Sequence, residues 1–287
     1  MSSYPKNLIK ALRAEPDLKL SQRATKNPDW WPKDAPQDKK AAQKRMDKIA
    51  QPLSDLQERF FAASVQGEEA PAVLLILQGM DTSGKGGIVR HVMGILDPQG
   101  VEHHAFKAPT KEELAHDFLW RITNALPGNG KVGVFDRSHY EDVLIARVKE
   151  LVSAEVLDFR YSKIVDFEKQ LVEQNILPIK VMLQISKDEQ YKRLSERLER
   201  PDKHWKYSPG DIDDRLLWDD YQQAYEIAIN RTDSKTAPWH IVPADQKWRA
   251  RLCVAELLLD TLQKNTVPWP EADFDVAGEK ARLDATK

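Results

Sequence analysis

The sequence predicts an α/β fold in which helices flank a parallel sheet. Short apolar segments alternate with longer segments of helical periodicity, the pattern of parallel strands joined by helical crossovers. The run 72–77 is apolar without interruption, as expected of a strand that is covered on both faces. A glycine-rich loop follows this run directly, and a helical pattern follows the loop. Together these observations favour a sheet whose strands end at one common edge.

Five segments have the composition of strands. Each is a short, largely apolar run that ends at turn-forming or polar residues. The predicted strands are 73–77, 101–108, 131–135, 179–185 and 239–242. The third follows a Pro-Gly-Asn-Gly sequence at 127–130, which is a strong turn signal.

Helical periodicity occupies the stretches between the strands. Ile49, Leu53 and Phe60 fall on one face of a helix predicted over 39–64. Pro52 is expected to interrupt this helix, because proline lacks the N–H that the helical ladder needs. The other predicted helices are 84–96, 112–126, 140–149, 154–175, 188–200, 212–230 and 248–264.

Composition divides the chain into three regions. We expect a basic, irregular N-terminal arm over 1–37, a single domain over 38–270 and a tail over 271–287. The arm is rich in Pro, Lys and Asp. Within the domain, 202–210 is too polar for a core and is a candidate mobile segment.

Charge and cysteine content exclude several classes of protein. The 287 residues include 43 Lys and Arg against 45 Asp and Glu, a net charge of −2, which argues against a uniformly basic nucleic-acid coat. Cys253 is the only cysteine, so neither an internal disulfide framework nor a cysteine-rich zinc module can form. No secretory signal or membrane-spanning run is evident, and we expect a cytoplasmic protein with neither nucleic-acid nor membrane partners.

The charge is unevenly distributed along the chain. The first 50 residues carry 12 Lys and Arg against 6 Asp and Glu. Such a segment is either a solvated terminus or a contact for an anionic partner. Nucleic-acid binding by this segment is a weaker alternative, and a steep salt dependence would support it.

The loop after the first strand has the pattern of a phosphate-binding loop. Gly79, Gly84 and Lys85 fit G-x-x-x-x-G-K, between a strand and a helix. Backbone N–H groups of such a loop surround phosphate oxygens, and the lysine reaches the terminal phosphates. A purely structural turn is the alternative. The predicted phosphate ligands in this loop are Gly79, Thr82, Ser83, Gly84, Lys85, Gly86 and Gly87.

The loop departs from the usual motif at two positions. Gly86 replaces the Ser or Thr whose hydroxyl ordinarily binds Mg²⁺. Asp81 places a carboxylate beside the phosphates, which it would repel unless a cation lay between them. We therefore expect Asp81 to face Mg²⁺ or Mn²⁺, with hydrogen bonding to loop amides as the alternative.

A second group of polar residues ends the third strand. Asp136 stands where phosphate-loop proteins hold a metal-linked carboxylate. Arg137 can bind a phosphate through two N–H groups. Asp142 is expected to face the same crevice, and Glu141 to contact a nucleotide together with Arg137. The alternative is that Glu141 and Asp142 are a helix N-terminal pair, stabilised by the helix dipole.

A basic helix precedes the polar segment 202–210. Arg193, Arg197 and Arg200 are spaced four and three residues apart and share one helical face, and Lys203 and Lys206 follow. We expect a lid whose cations close over phosphoryl groups. The alternative is a surface helix whose arginines pair with the interleaved acidic residues.

The combination of motifs resembles the polyphosphate kinase 2 family. The resemblance rests on residues 79–87, 109–114, 135–143 and 197–206, and it covers roughly residues 40–265. It implies a P-loop kinase fold like that of thymidylate kinase, with a helical lid at about 190–214. In this family the glycine after the lysine is the usual residue.

The resemblance also implies an activity: phosphoryl transfer between inorganic polyphosphate and nucleotides, with Mg²⁺. ADP and AMP are the expected acceptors, guanine nucleotides are further candidates, and 138–143 resembles the class III branch. A homo-oligomer, dimer or tetramer, is also implied. An ATP-dependent kinase and a non-catalytic nucleotide-binding regulator are the alternatives. The resemblance implies catalytic roles for Asp81, Lys85, Asp136, Arg137, Asp142 and Arg193. It implies that the metal ligands are Asp81, Asp136 and Asp142. Outside the loop, the implied polyphosphate contacts are Arg193, Arg197, Lys203 and Lys206.

Substitution of Lys85 tests the phosphate-loop prediction. Lys85→Ala should lower the rate of phosphoryl transfer by roughly 10²–10³-fold, because it removes a preorganised cation from the transferring group. The folded state should be retained, as judged by circular dichroism, and Arg193→Ala is expected to behave in the same way. Unimpaired turnover of Lys85→Ala would contradict the assignment.

Overall fold

A computed structural model describes residues 4–287. Five strands form one parallel sheet in the order β2-β3-β1-β4-β5. The predicted α/β fold with a five-stranded parallel sheet is confirmed. The strands are β1 (Ala72–Gln78), β2 (Val101–Ala105), β3 (Val132–Asp136), β4 (Ile176–Gln184) and β5 (Trp239–Pro243).

β1 lies at the centre of the sheet, between β3 and β4. All seven of its residues are buried, in accordance with its unbroken apolar composition. Parallel pairing sets Leu77 of β1 beside Asp136 at the end of β3. The glycine-rich loop and the Asp136 motif therefore leave the same edge of the sheet, side by side.

Helices cover both faces of this sheet. Their bounds are α1 (Tyr4–Leu12), α2 (Lys39–Val65), α3 (Lys85–His91), α4 (Trp120–Thr123), α5 (Glu141–Val148), α6 (Ala154–Glu173), α7 (Lys187–Glu199), α8 (Gly210–Leu216), α9 (Trp218–Thr232), α10 (Lys247–Lys264) and α11 (Val276–Asp284). The prediction for 212–230 is wrong in one respect, since α8 and α9 are separate helices that meet at Leu217. The helix predicted over 84–96 ends at His91 and is followed by a single 3₁₀ turn, Met93–Ile95.

The single helix predicted over 112–126 is wrong. The chain forms a 3₁₀ turn, Glu113–Ala115, and then the short α4. Thr110 and Glu113 exchange side chain to backbone hydrogen bonds of 2.6 and 3.2 Å, and Asp117 accepts from the N–H of Leu119 at 3.0 Å. The Thr110–Glu113 pair is a capping box that begins the 3₁₀ turn, and Asp117 forms a second turn before α4, so the segment holds two short helical turns instead of one helix.

Pro52 does not interrupt α2, so that prediction is wrong. The helix continues through Pro52 from Lys39 to Val65. The proline lies on the exposed face, where water can bind the carbonyl that the missing N–H leaves without a partner.

The prediction of an irregular N-terminal arm over 1–37 is wrong at α1; residues 1–3 lie outside the described residues, and 13–37 is irregular apart from a 3₁₀ turn, Leu20–Gln22. Tyr4, Leu8 and Leu12 repeat every four residues, and α1 buries all three against α10 and β5. Farther along, the Trp31 ring packs edge-on against Trp248, with ring centroids 6.4 Å apart. The apolar side chains of this segment thus join the core, whereas Lys6 and Lys10 lie on the exposed face of α1.

The polar segment and the C-terminal segment are both partly helical. The segment around 202–210 contains a 3₁₀ helix, Pro201–Lys206, before α8 begins. The predicted tail 271–287 includes α11, which has no buried residue. Among residues 4–287, no helix is long and apolar enough to cross a membrane.

A buried polar network stands behind the end of β3. Lys180 of β4 donates hydrogen bonds to Glu168 of α6 at 2.6 Å and to the carbonyl oxygen of Thr232 at 2.8 Å. The hydroxyl of Tyr140, at the start of α5, donates to Glu168 at 2.7 Å. Although burial opposes ionisation of Glu168, Lys180 lowers the pKa of this carboxyl. The network ties β4, α6 and α9 to the segment that carries Asp136.

Removal of one partner from this network should be costly. Lys180→Met leaves the Glu168 charge buried without its cation, and we expect the free energy of unfolding to fall by about 3–5 kcal/mol. Lys169→Met is the matched control, because Lys169 pairs with Glu173 at 3.7 Å on the exposed face of α6 and should change stability by less than about 0.5 kcal/mol. Denaturant titration measures both. Equal effects of the two substitutions would contradict the role assigned to the buried pair.

Candidate active site

The loop between β1 and α3 is tightly curled. Gly79 has φ of +147°, and a Cβ there would lie 2.8 Å from the carbonyl oxygen of Leu183, so only glycine fits. Gly84 has φ of +117° and Thr82 has φ of +64°. The Nζ of Lys85 donates a hydrogen bond of 2.8 Å across the loop to the carbonyl oxygen of Gly79. The left-handed residues thus close the chain into a cradle around the lysine.

Two hydroxyls in this loop are left without partners. Thr82 Oγ1 and Ser83 Oγ are buried and, within the described part of the chain, accept and donate no hydrogen bond. Buried hydroxyls ordinarily find a partner. Phosphate oxygens are suitable acceptors for both, which agrees with the predicted phosphate-binding role.

Arg137 joins the loop to the end of β3. Its guanidinium donates to Asp81 Oδ1 at 2.8 Å and to Glu141 Oε2 at 3.4 Å. Its backbone has φ of +66°, and its N–H bonds the carbonyl oxygen of Leu77 at 3.1 Å. Although burial disfavours the charged form, Glu141 and Asp81 raise the pKa of Arg137, which remains a cation. Asp81 therefore pairs with Arg137 here rather than with the loop amides.

A cavity of about 580 Å³ opens above the loop. Its lining includes ten Lys and Arg side chains but only four Asp and Glu, in a protein whose net charge is −2. Such a cleft concentrates positive potential and attracts polyanions. Of the predicted site residues, it brings together Asp81, Thr82, Ser83, Gly84, Lys85, Gly86, Gly87, Asp136, Arg137, Arg193, Arg197, Lys203 and Lys206.

Arg193 supports the loop from below. Its Nη1 donates to the carbonyl oxygens of Thr82 and Ser83 at 2.8 and 3.1 Å. Its Nη2 donates to those of Ala244 and Asp245, just after β5, at 2.7 and 2.9 Å. The Nε donates to Glu189 at 2.7 Å, so every nitrogen of this buried guanidinium is engaged. Arg193 thus holds the loop in place, and its donors are occupied by protein oxygens.

Arg197 links the lid helix to the segment after it. Its Nη1 donates to the carbonyl oxygen of Lys206 at 2.9 Å and to Asp211 Oδ2 at 3.1 Å. These bonds fold residues 201–211 back along α7. Lys203 and Lys206 are thereby brought to the rim of the cavity.

Three predicted residues lie outside this cavity. Asp142 Oδ2 lies 3.4 Å from Arg121 Nη2, and burial raises the pKa of the carboxyl. Glu141 and Gly79 line a separate, much smaller pocket with Tyr225. Burial also raises the pKa of Glu141. Since α5 begins at Glu141, consecutive side chains diverge around the helix, and Asp142 faces Arg121 instead of the phosphate loop.

Comparison with known proteins identifies the family. The family profile described as polyphosphate kinase 2 matches residues 36–270. The chain belongs to the polyphosphate kinase 2 family. It is 48% identical to the crystal structure of polyphosphate kinase 2 from Arthrobacter aurescens, with a TM-score of 0.92 over 99% of both chains. The predicted P-loop kinase fold and the predicted family are confirmed.

Two curated relatives are each 42% identical to the present chain. One is the AMP/ADP-polyphosphate phosphotransferase of Meiothermus ruber, matched over 84% of this chain and 88% of the relative. The other is the ADP-polyphosphate phosphotransferase of Rhodopseudomonas palustris, matched over 76% and 78%. The names of these two relatives differ in the acceptor nucleotide, so identity at this level leaves the acceptor to experiment.

The kinase cavity also contains cations that sequence reasoning missed. Lys247 and Arg251 are four residues apart at the start of α10, and Arg90 lies in α3. Among the described residues, none of the three forms an ion pair. The four-residue spacing of Lys247 and Arg251 is a sequence signal, since it places both cations on one face of a helix. Only the tertiary structure brings this pair to the phosphate loop.

The carboxylates fit a metal that the phosphates help to bind. Within residues 4–287, no three Asp, Glu, His or Cys side chains form a ready-made metal cluster. Asp81 and Asp136 both line the cavity, and Asp142 does not. Mg²⁺ is usually held by one or two carboxylates together with substrate phosphates and water. Asp81 and Asp136, together with substrate phosphates, match this kind of donor set.

The contacts of Arg193 alter what its substitution should do. Arg193→Ala leaves four backbone carbonyls without their donor, so we now expect a loss of about 2–4 kcal/mol in the free energy of unfolding, along with lost activity. Arg197→Ala is the control, because its partly exposed side chain makes two bonds at the edge of the lid; it should cost about 1 kcal/mol or less. Denaturant titration distinguishes them. If Arg193→Ala has the same free energy of unfolding as the wild type, Arg193 does not hold the loop and is better described as a phosphate ligand alone.

Proposed function

We propose that this kinase transfers phosphoryl groups between inorganic polyphosphate and nucleoside mono- and diphosphates, with Mg²⁺ as cofactor. The observation that carries the proposal is the ten-cation lining of the cavity, which runs from the phosphate loop to Lys203 and Lys206. Four carboxylates share the lining, and the remaining excess of six positive charges is larger than the negative charge on the phosphates of ATP. A long phosphate chain can contact the loop and the lid at once.

In the proposed reaction, the protein positions phosphates and neutralises their charge. Lys85 and the hydroxyls of Thr82 and Ser83 bind oxygens of the donor chain. Mg²⁺ held by Asp81 and Asp136 would offset negative charge on the reacting phosphates. An acceptor phosphate is already an anion and attacks in line without a strong general base, so no covalent intermediate is needed.

Arg137 is the residue that can contact both substrates. Its guanidinium separates the main cavity from the small pocket that Glu141, Tyr221 and Tyr225 line. We assign this pocket to the acceptor nucleotide. Its volume is only about 20 Å³, so side chains around it must shift when an acceptor binds. That shift would free Arg137 from Asp81 and bring its cation to the transferred group.

The acceptor range and the assembly state extend the proposal. The Meiothermus ruber relative named for AMP and ADP supports the use of both acceptors. A homo-oligomer, dimer or tetramer, is also proposed; exposed Val156 and Phe159 on α6 are apolar surface that could be covered by a second copy. We also propose a cytoplasmic location, because nucleotides are available there.

A donor and acceptor screen tests the function. The purified protein is incubated with Mg²⁺, with either polyphosphate or ATP as donor, and with AMP, ADP, GMP or GDP as acceptor in separate reactions, and the products are resolved by anion-exchange chromatography. With polyphosphate we expect ATP from ADP and ADP from AMP, roughly 10²–10³-fold slower formation by Lys85→Ala, and no product with excess chelator. Phosphorylation that requires ATP and ignores polyphosphate would instead show an ATP-dependent kinase, and binding without turnover a regulator.

A further inference from the structure

A second cavity lies at the opposite edge of the sheet. It also measures about 580 Å³, within the range of small-molecule sites. Its walls come from α1, from the first residues of β4 and β5, and from the end of α10. Leu177 and Pro178 in its lining pair with the first residues of β1, whereas the phosphate loop follows the last.

α10 contributes residues to both cavities. Arg251 of this helix lines the catalytic cavity, and Leu257, Asp260 and Lys264 line the second one. Six residues of helix separate Arg251 from Leu257, which is about 9 Å at 1.5 Å per residue. Among the residues that the structure describes, none lines both cavities. A ligand in the second cavity therefore does not occupy the catalytic site.

Five basic side chains from three separate segments converge on the second cavity. Lys6, Lys10 and Arg13 are spaced four and three residues apart along α1 and its end, Lys235 precedes β5, and Lys264 ends α10. Lys264 pairs with Asp260 at 2.6 Å. In the part of the chain that the structure describes, the other four form no ion pair. Like charges at this spacing repel one another, so a bound anion would relieve an unfavourable arrangement.

The floor of the cavity is apolar. Ile9, Val172, Leu177 and Leu257 contribute it, and buried His240 adjoins them. Burial lowers the pKa of His240 to about 4, so this ring is neutral near pH 7 and adds no charge. Asp260 is the sole acidic residue of the lining. The cavity thus combines buried and half-buried apolar side chains with exposed cations at its rim.

We propose that this second cavity binds a nucleoside triphosphate, with the phosphates on Lys6, Lys10, Arg13 and Lys235 and the base on the apolar floor. An inorganic phosphate chain would use the rim but leave the floor exposed. A nucleoside would use the floor but leave the cations without counter-charge. Only a molecule with both parts matches the whole lining. The site stands on its own geometry and holds whether or not the reaction proposed above is correct.

Calorimetric titration with ATP tests the site. Wild-type protein should bind two ATP per chain, and Lys6→Ala/Lys10→Ala should bind one, with the second affinity lowered at least tenfold. Lys44→Ala/Lys48→Ala is the matched control, because these exposed lysines have the same spacing on α2 and line neither cavity; it should still bind two. Lys235→Ala, in a loop, should weaken the same site without altering a helix.

Further arms separate this site from the catalytic one. ATP binding that survives in Lys85→Ala and disappears when Lys6→Ala/Lys10→Ala is added belongs to the second cavity. Tripolyphosphate and adenosine should each bind there at least tenfold more weakly than ATP. The proposal is overturned if Lys6→Ala/Lys10→Ala binds as many ATP per chain as the wild type, if Lys85→Ala binds no ATP, or if tripolyphosphate binds the second cavity as tightly as ATP.

Discussion

The guanidinium of Arg193 is the contact on which the phosphate site depends. A loop that presents its N–H groups to a ligand must direct its carbonyl oxygens elsewhere, and buried carbonyls need donors. Arg193 supplies them for Thr82 and Ser83, and it anchors the loop to Ala244 and Asp245 beside β5. The hydroxyls and Lys85 are then left facing the cavity. The same side chain cannot also be a free phosphate ligand in this arrangement.

The local sequence pattern is sufficient to predict the central strand and the loop that follows it. The burial of β1, the loop after it and the position of Asp136 beside that loop follow from strand composition and from the common edge of a parallel sheet. Lys85 and Arg137 were found because each belongs to a short motif. These features depend on residues that are near each other in sequence, or on a pairing rule that holds for any parallel sheet.

Features that depend on distant contacts could not be predicted. The packing of α1 requires α10 and β5, more than 200 residues away. The role of Arg193 depends on carbonyl oxygens, which carry no sequence signature. The direction of Asp142 depends on where α5 begins, to within one residue. Net charge was the least informative quantity, because folding gathers Lys247, Arg251 and the lid cations into one cleft while the acidic residues disperse.

The anchoring of the phosphate loop also has a consequence for synthesis. The loop is made early, yet Arg193 can fasten it only to Ala244 and Asp245, which a ribosome adds more than 150 residues later. α1 emerges before the loop, and the α10 residues that cover its apolar face emerge after the loop. A growing chain therefore holds its completed loop unanchored and α1 uncovered until β5 and α10 have emerged. Such a nascent chain needs protection of its apolar surface and has no shaped phosphate site.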